Sequence, residues 1–356
     1  MRRTVFWAAI VLGAGACLAG DPVVSNVRAQ QRGGGSRLVD IRYDAADSDG
    51  DRLAVSVTLT DNGAPVPAAS VTGDIGAGVR PGTGKQIVWD AGADWSGNLS
   101  ENVRATVTAD DGRTPAVPQG MVRVPGGTNS GTDPDFGAYS LTVETFHMDA
   151  TEVTKAQWDA VYTWAVAHGY SFDHAGSGKA ANHPVHTVSW YDVVKWCNAR
   201  SQKEGRTPCY NLSTWACDFA ANGYRLPTNT EWAYAARGGQ SGRRFPWGDT
   251  ITHSQANYYS SSSYSYDVSP TRGCHPTYLT GGYPYTSPAG AFTANGYGLY
   301  DMAGNVWEWC NDSSGSARGI RGGCWDGSAY RARCGRSLWL PPDSADYGFG
   351  FRAVCR

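Results

Sequence analysis

The 356-residue chain exceeds one typical domain, and its net charge of −2, with charged residues at 17%, provides no general attraction to nucleic acid or an anionic membrane. No basic run is long enough to make a local one. Forty-five glycines, 19 tyrosines and 14 tryptophans describe loop-rich domains with aromatic cores rather than helical bundles.

Arg2 and Arg3 precede an apolar run from Val5 to Leu18, followed by small residues and then Asp21. This predicts a secretory signal over residues 1–20, too short to persist as a transmembrane anchor. The expected location is secreted, periplasmic or cell-surface. Ala14-Gly15-Ala16-Cys17 weakly resembles a lipoprotein cleavage box but lacks the usual leucine three before the cysteine, so cleavage near Ala19 or Gly20 is the default over lipid anchoring.

Residues 21–114 read as an all-β sandwich. Leu53, Val55, Val57 and Leu59 alternate with polar residues, Asp61-Asn62-Gly63 supplies a turn, and Ile87, Trp89, Val103, Ala105 and Val107 continue at strand spacing. The length suits roughly seven strands of an immunoglobulin-like or fibronectin-III-like fold, with Trp89 or Trp95 in its core. Asp47-Ser48-Asp49-Gly50-Asp51 is read as a turn rather than a calcium loop, because no bidentate glutamate follows. Residues 115–120 are a proline-containing linker, and a second domain spans 121–356.

That domain opens with a strand at Met121–Val124 and another from Val143 to Met148. A threonine cap in Thr151–Thr154 then starts a helix carrying Trp158, Val161 and Trp164 toward the core. Ser189 caps a second helix with Asp192 three residues on, and spacing places Val193, Val194 and Cys197 on adjoining parts of one buried face. His183 and His186 flank Pro184, which forces extended backbone, so they are read as loop hydrogen-bonding groups rather than metal ligands. Eight cysteines follow residue 196, an even count that in an exported chain reads as disulfides first; Cys209 and Cys217 are close enough in sequence for a local bond.

The run Asn295–Trp309 is the densest in glycine and aromatics. Asp301 and Glu308 with the carbonyls of Gly304 and Val306 offer oxygen ligands suited to calcium; the alternative is that the two carboxylates cap turns and pair with arginines.

Gly223–Gly239, Phe245-Pro246-Trp247-Gly248-Asp249, Asn295–Trp309, Arg321-Gly322-Gly323 and Gly350-Phe351-Arg352 together resemble the formylglycine-generating enzyme (sulfatase-modifying factor) family. The resemblance implies an α+β, C-type-lectin-like FGE-sulfatase fold with little regular secondary structure and disulfides. It also implies structural calcium on Asp301, Gly304, Val306 and Glu308, and a doubtful second calcium site at Asn257. By the same resemblance Cys197 pairs with Cys355, and Trp307 matches a tryptophan lining the family's active-site pocket.

Family enzymes oxidise a substrate cysteine using copper(I) held by a closely spaced cysteine pair after Gly-Gly-Ser, and soft thiolates suit that ion. Here the block reads Gly322-Gly323-Cys324-Trp325-Asp326-Gly327-Ser328-Ala329-Tyr330, without the pair. Cys324 and Cys334 are the remaining candidates for catalysis, but ten residues separate them and a structural role is simpler. Two readings follow. One is a non-catalytic module for a protein, peptide or carbohydrate ligand, with Trp325, Tyr330, Trp339 and Tyr347 on its loops. The other is an oxidase with altered metal ligands.

Overall fold

The computed structural model describes residues 22–47, 50–98, 100, 102–112 and 117–356. The expected signal at 1–20, Ser48 and Asp49 of the acidic turn, and Pro115 and Ala116 of the linker lie outside them. The chain divides into two compact units between Ala116 and Val117.

The first unit holds β1 (Val23–Gln31), β2 (Leu38–Ala46), β3 (Leu53–Asp61), β4 (Ala64–Val66), β5 (Val71–Gly73), β6 (Gly76–Val79), β7 (Gly82–Asp90), the one-turn α1 (Ala91–Asp94) and β8 (Val103–Asp110). One antiparallel sheet runs β1-β2-β7-β5; in the other β3 pairs with β4, β6 and β8. Val39, Ile41, Ile87 and Trp89 from the first sheet and Leu53, Val55, Leu59 and Val107 from the second form one buried cluster. Alternation in the sequence therefore faces two sheets toward a shared core. Among the described residues eight strands appear where about seven were expected, three of them short enough to escape a periodicity reading. Asn62 (φ 49°) and Gly63 (φ 86°) give the β3–β4 hairpin the left-handed pair that its two-residue turn requires. Asp47 Oδ1 accepts the Gly50 amide, as a turn aspartate does.

The second unit holds β9 (Met121–Val124), β10 (Gly127–Asp133), β11 (Gly137–Val143), β12 (Phe146–Asp149), α2 (Lys155–Ala167), α3 (Trp190–Lys203), α4 (Asn229–Ala236), β13 (Trp307–Ser314), β14 (Ala317–Arg321), β15 (Ser337–Leu340), β16 (Phe349–Gly350) and β17 (Val354–Cys355). Its sheets are short: a β10–β11 hairpin, β17-β12-β9 and β15-β14-β13-β16. The stretch from 237 to 306 contains no named element.

All three helices of this unit start with a capping box, at Thr154/Gln157, Ser189/Asp192 and Thr228/Glu231. Each box satisfies two otherwise orphaned amides and fixes where the helix begins. Helices α2 and α3 join through stacked indoles: Trp158 and Trp196 lie 5.9 Å apart and 2° from parallel, with Phe351 set edge-on to both. Val193, Val194 and Cys197 are buried as their spacing predicted, whereas Trp164 is only partly buried and stacks on His168.

All eight described cysteines carry free thiols in this structure. Neither the Cys197–Cys355 bond nor the Cys209–Cys217 bond is formed in it; Cys355 Sγ instead lies 3.7 Å from Met121 Sδ, and Cys209 Sγ faces the Ala221 carbonyl. Cys197, Cys209 and Cys355 nevertheless share one apolar cluster, with Cys217 packed against it.

Trp196→Ala removes the stack that joins the two helices and is expected to destabilise the second unit by about 3–5 kcal/mol, measured by urea denaturation.

Candidate functional site

Four buried charged side chains meet beneath the Asn295–Trp309 run. Asn295 fastens the run to the end of α4 by donating to the Ala235 and Ala236 carbonyls. Asp301 (φ 54°) and Gly304 (φ 86°) turn it left-handed, and a Cβ on Gly304 would sit 2.2 Å from the Asn257 carbonyl oxygen, so only glycine fits there. Glu308, on β13, has both oxygens engaged: Oε2 accepts from Trp232 Nε1 (2.6 Å) and Arg352 Nε (2.7 Å), and Oε1 from Arg352 Nη2 (2.8 Å). Both partners of the ion pair are fully buried. Arg352 also donates to the carbonyls of Asp149, Ala150 and Tyr300.

Glu152, just before α2, completes the cluster, and the sequence reading did not single it out. It is fully buried, and the group its carboxyl engages is the carboxyl of Asp301. Asp301 Oδ2 also caps the Gly290 amide. Burial raises the Glu152 carboxyl well above its ordinary value, and the charges of Asp301 and Glu308 add to the rise against the pull of Arg352. Burial raises Asp301 in the same direction. Three carboxylates facing one guanidinium leave surplus negative charge in a dry site, which must be protonated or met by a cation.

The expected calcium set has Asp301 and Glu308 as its carboxylates. Asp301 and Glu308 come together, yet Glu308 is held by Arg352 and Trp232, so the carboxyls without a cationic hydrogen-bond partner are Asp301 and Glu152, which engage each other. The alternative of turn caps and arginine pairing is also realised, at Gly290 and Arg352. Among the described residues no three His, Cys, Asp or Glu side chains converge as a metal cluster. A cation held by Glu152 and Asp301 would need further oxygen ligands from carbonyls, which calcium accepts. Asn257 packs against Gly304, accepts the Asn305 amide on its own carbonyl, and leaves Oδ1 without a partner.

The other family position, Cys324, is buried and 2.9 Å from Asp326 Oδ1. Burial and that carboxylate push the thiol well above its usual range, opposite to what a reactive thiolate needs. Cys334 belongs to a different apolar cluster, with Cys310, and Trp307 is buried in the core. Around Cys324, Trp325 is 4.8 Å from Tyr283 and 5.4 Å from Tyr285, and Tyr283 is 5.2 Å from Tyr347. Tyr283 and Tyr285 were not anticipated. Tyr330 packs against Tyr264 and under Arg333, and Trp339 lies exposed on β15, so neither joins this group. His183 and His186 satisfy the Thr286 and Thr187 hydroxyls, as loop groups.

A family profile described as the sulfatase-modifying factor enzyme 1-like domain, FGE-sulfatase, matches residues 107–356. The chain belongs to this family. The formylglycine-generating enzyme of Streptomyces coelicolor is 32% identical over 293 residues, covering 67% of this chain and 90% of that protein. The inactive C-alpha-formylglycine-generating enzyme 2 of Mus musculus is 31% identical over 238 residues, covering 63% and 67% respectively. Among solved structures, CarF superposes with a TM-score of 0.52 at 27% identity, over 66% of this chain and 97% of that one. The FGE-sulfatase match begins inside β8, ahead of the compact second unit.

Arg352→Ala leaves Glu308 buried without its cation and is expected to cost about 3–5 kcal/mol by denaturant titration. Because Glu152 and Asp301 are raised in the folded state, the native protein holds more protons than the unfolded chain above about pH 4. Metal-free stability therefore falls as pH rises from there through the raised values. In chelator, Glu152→Gln is expected to flatten that fall and raise the melting temperature at neutral pH; an unchanged pH profile would refute the assignment.

Proposed function

We propose that this FGE-sulfatase member is an exported, non-catalytic binding module with a structural calcium, presenting the loops around Cys324 to a protein, peptide or carbohydrate ligand. The observation that carries it is the missing cysteine pair after Gly322-Gly323: Cys324 stands where the family has its serine, a buried thiol pushed up beside Asp326, and Gly327 stands where the first copper cysteine is expected. Cys334 does not replace the second, since it packs in another part of the core. The aromatic group Tyr283, Tyr285, Trp325 and Tyr347 supports binding, because rings on a rigid glycine-rich frame supply contact area at low entropic cost. A relative described as inactive supports the loss of chemistry within the family. The N-terminal β unit then serves as a spacer. Export is supported by the signal-like residues 1–20; among the described residues no helix is long and apolar enough to cross a membrane. In an oxidising compartment Cys355 is expected to pair with Cys197, as the family resemblance implies, and Cys209 with Cys217, which are close in sequence.

The test combines copper(I) titration of the full chain with oxygen uptake on a cysteine-containing peptide and counting of free thiols. No tight copper binding and no oxygen consumption are expected; stoichiometric copper binding with turnover would establish the oxidase instead. Calcium is expected to raise the melting temperature of the wild type and not of Glu152→Gln.

A further inference from the structure

A second cleft, of about 500 Å³, lies in the same unit and shares no residue with the carboxylate cluster or the Cys324 group. Its volume is that of a small-molecule site. The residues after α2 supply His168 and Tyr170, α3 supplies Lys195 and Gln202 two turns apart, and the turn between Cys209 and Cys217 supplies Leu212 and Trp215.

That turn is shaped around its indole. Asn211 Oδ1 accepts the Ser213 and Thr214 amides, and the Asn211 carbonyl accepts that of Trp215. Trp215 sits at φ 62°, a left-handed conformation that glycine takes freely and a bulky side chain only at a cost. Backbone closure alone therefore asks for glycine. The ring found there instead packs on Tyr191, 4.6 Å away, and remains partly buried at the edge of the cleft, as do Tyr170 and Leu212. A costly conformation that displays a ring beside a cavity points to a bound group.

The polar groups around these rings are fixed by internal bonds. The Tyr170 hydroxyl donates to Gln202 Oε1 (3.0 Å), which leaves the amide nitrogen of Gln202 as its donor end. His168 Nδ1 lies 2.7 Å from the Trp164 carbonyl, so the neutral ring carries its proton there and offers Nε2 as an acceptor. Lys195 sets its ammonium 6.0 Å from the centre of the Trp215 ring and 3.4 Å from Asp173, whose carboxylate offsets its charge. Flat apolar faces ringed by donors and acceptors match the two sides of a sugar, its C–H face and its hydroxyls. The lining lies on helix and turn, so a peptide backbone finds no strand edge to extend.

We propose that this cleft is a binding site for a neutral oligosaccharide, with a sugar ring against Trp215 and Tyr170 and its hydroxyls on Gln202, His168 and Lys195. The full chain is titrated by calorimetry with cellohexaose, chitohexaose and mannohexaose, and at least one is expected to bind. Trp215→Gly keeps a residue suited to the turn while removing the ring, and Gln202→Ala removes an exposed donor without touching the core. Each is expected to weaken binding at least about tenfold, with Trp215→Phe retaining most of it. Near-ultraviolet circular dichroism and the melting temperature check that each variant is folded. Binding of none of the three sugars, or binding that survives both Trp215→Gly and Gln202→Ala, overturns the proposal. So does binding lost on Tyr347→Ala instead, which would place the sugar at the Cys324 loops. Oxygen uptake decides the reading of the Cys324 site separately, since sugar binding is measured whether or not oxygen is consumed.

Discussion

The buried pair Arg352–Glu308 is the constraint on which the second unit depends. Removing two charges from water is costly, and the cost is offset only when every donor and acceptor is met. Arg352 meets this by reaching the carbonyls of Asp149 and Ala150 at the end of β12, the Tyr300 carbonyl and both Glu308 oxygens. Segments some two hundred residues apart in the chain are thereby fixed to one planar guanidinium. Asp149 extends the network, accepting the Ala353 amide and two bonds from Arg200 on α3. With little sheet or helix between residues 237 and 306, such charge-assisted bonds perform the ordering that backbone ladders perform elsewhere.

That frame is separable from chemistry. Conserving the fold asks for capping boxes, buried indoles and the Arg352 network; copper(I) chemistry asks for a pair of accessible thiolates. This chain has the former; Cys324, next to Gly323, is a buried thiol beside Asp326 under an aromatic surface. Membership in FGE-sulfatase therefore fixes the scaffold, while function has to be argued from the groups displayed on it.

Much of this was legible residue by residue. The starts of α2 and α3 were readable because a capping box is a local device within four residues, and the hairpin at Asn62-Gly63 because backbone sterics select the turn; the start of α4 was not read, although Thr228 and Glu231 form the same box. Asp301 and Glu308 were readable as a pair because they lie in one short run. Glu152 was not: a glutamate between Thr151 and Val153 looks like a solvated residue before a helix, and only its burial against Asp301 shows otherwise. Tyr283 and Tyr285 escaped for a similar reason, since they lie some forty residues from Trp325 in a stretch without periodicity.

The sequence by itself determined the two-part organisation expected of the chain, its family and the absence of the copper pair, because these reside in composition, ordered local blocks and the identity of residues after Gly323. Only the tertiary structure decided which carboxylate is held by an arginine and which is not. Glu308 and Glu152 are the same side chain chemically; one is neutralised by Arg352 and the other is not. That difference arises from where the folded chain brings a guanidinium, a long-range fact that no local spacing encodes.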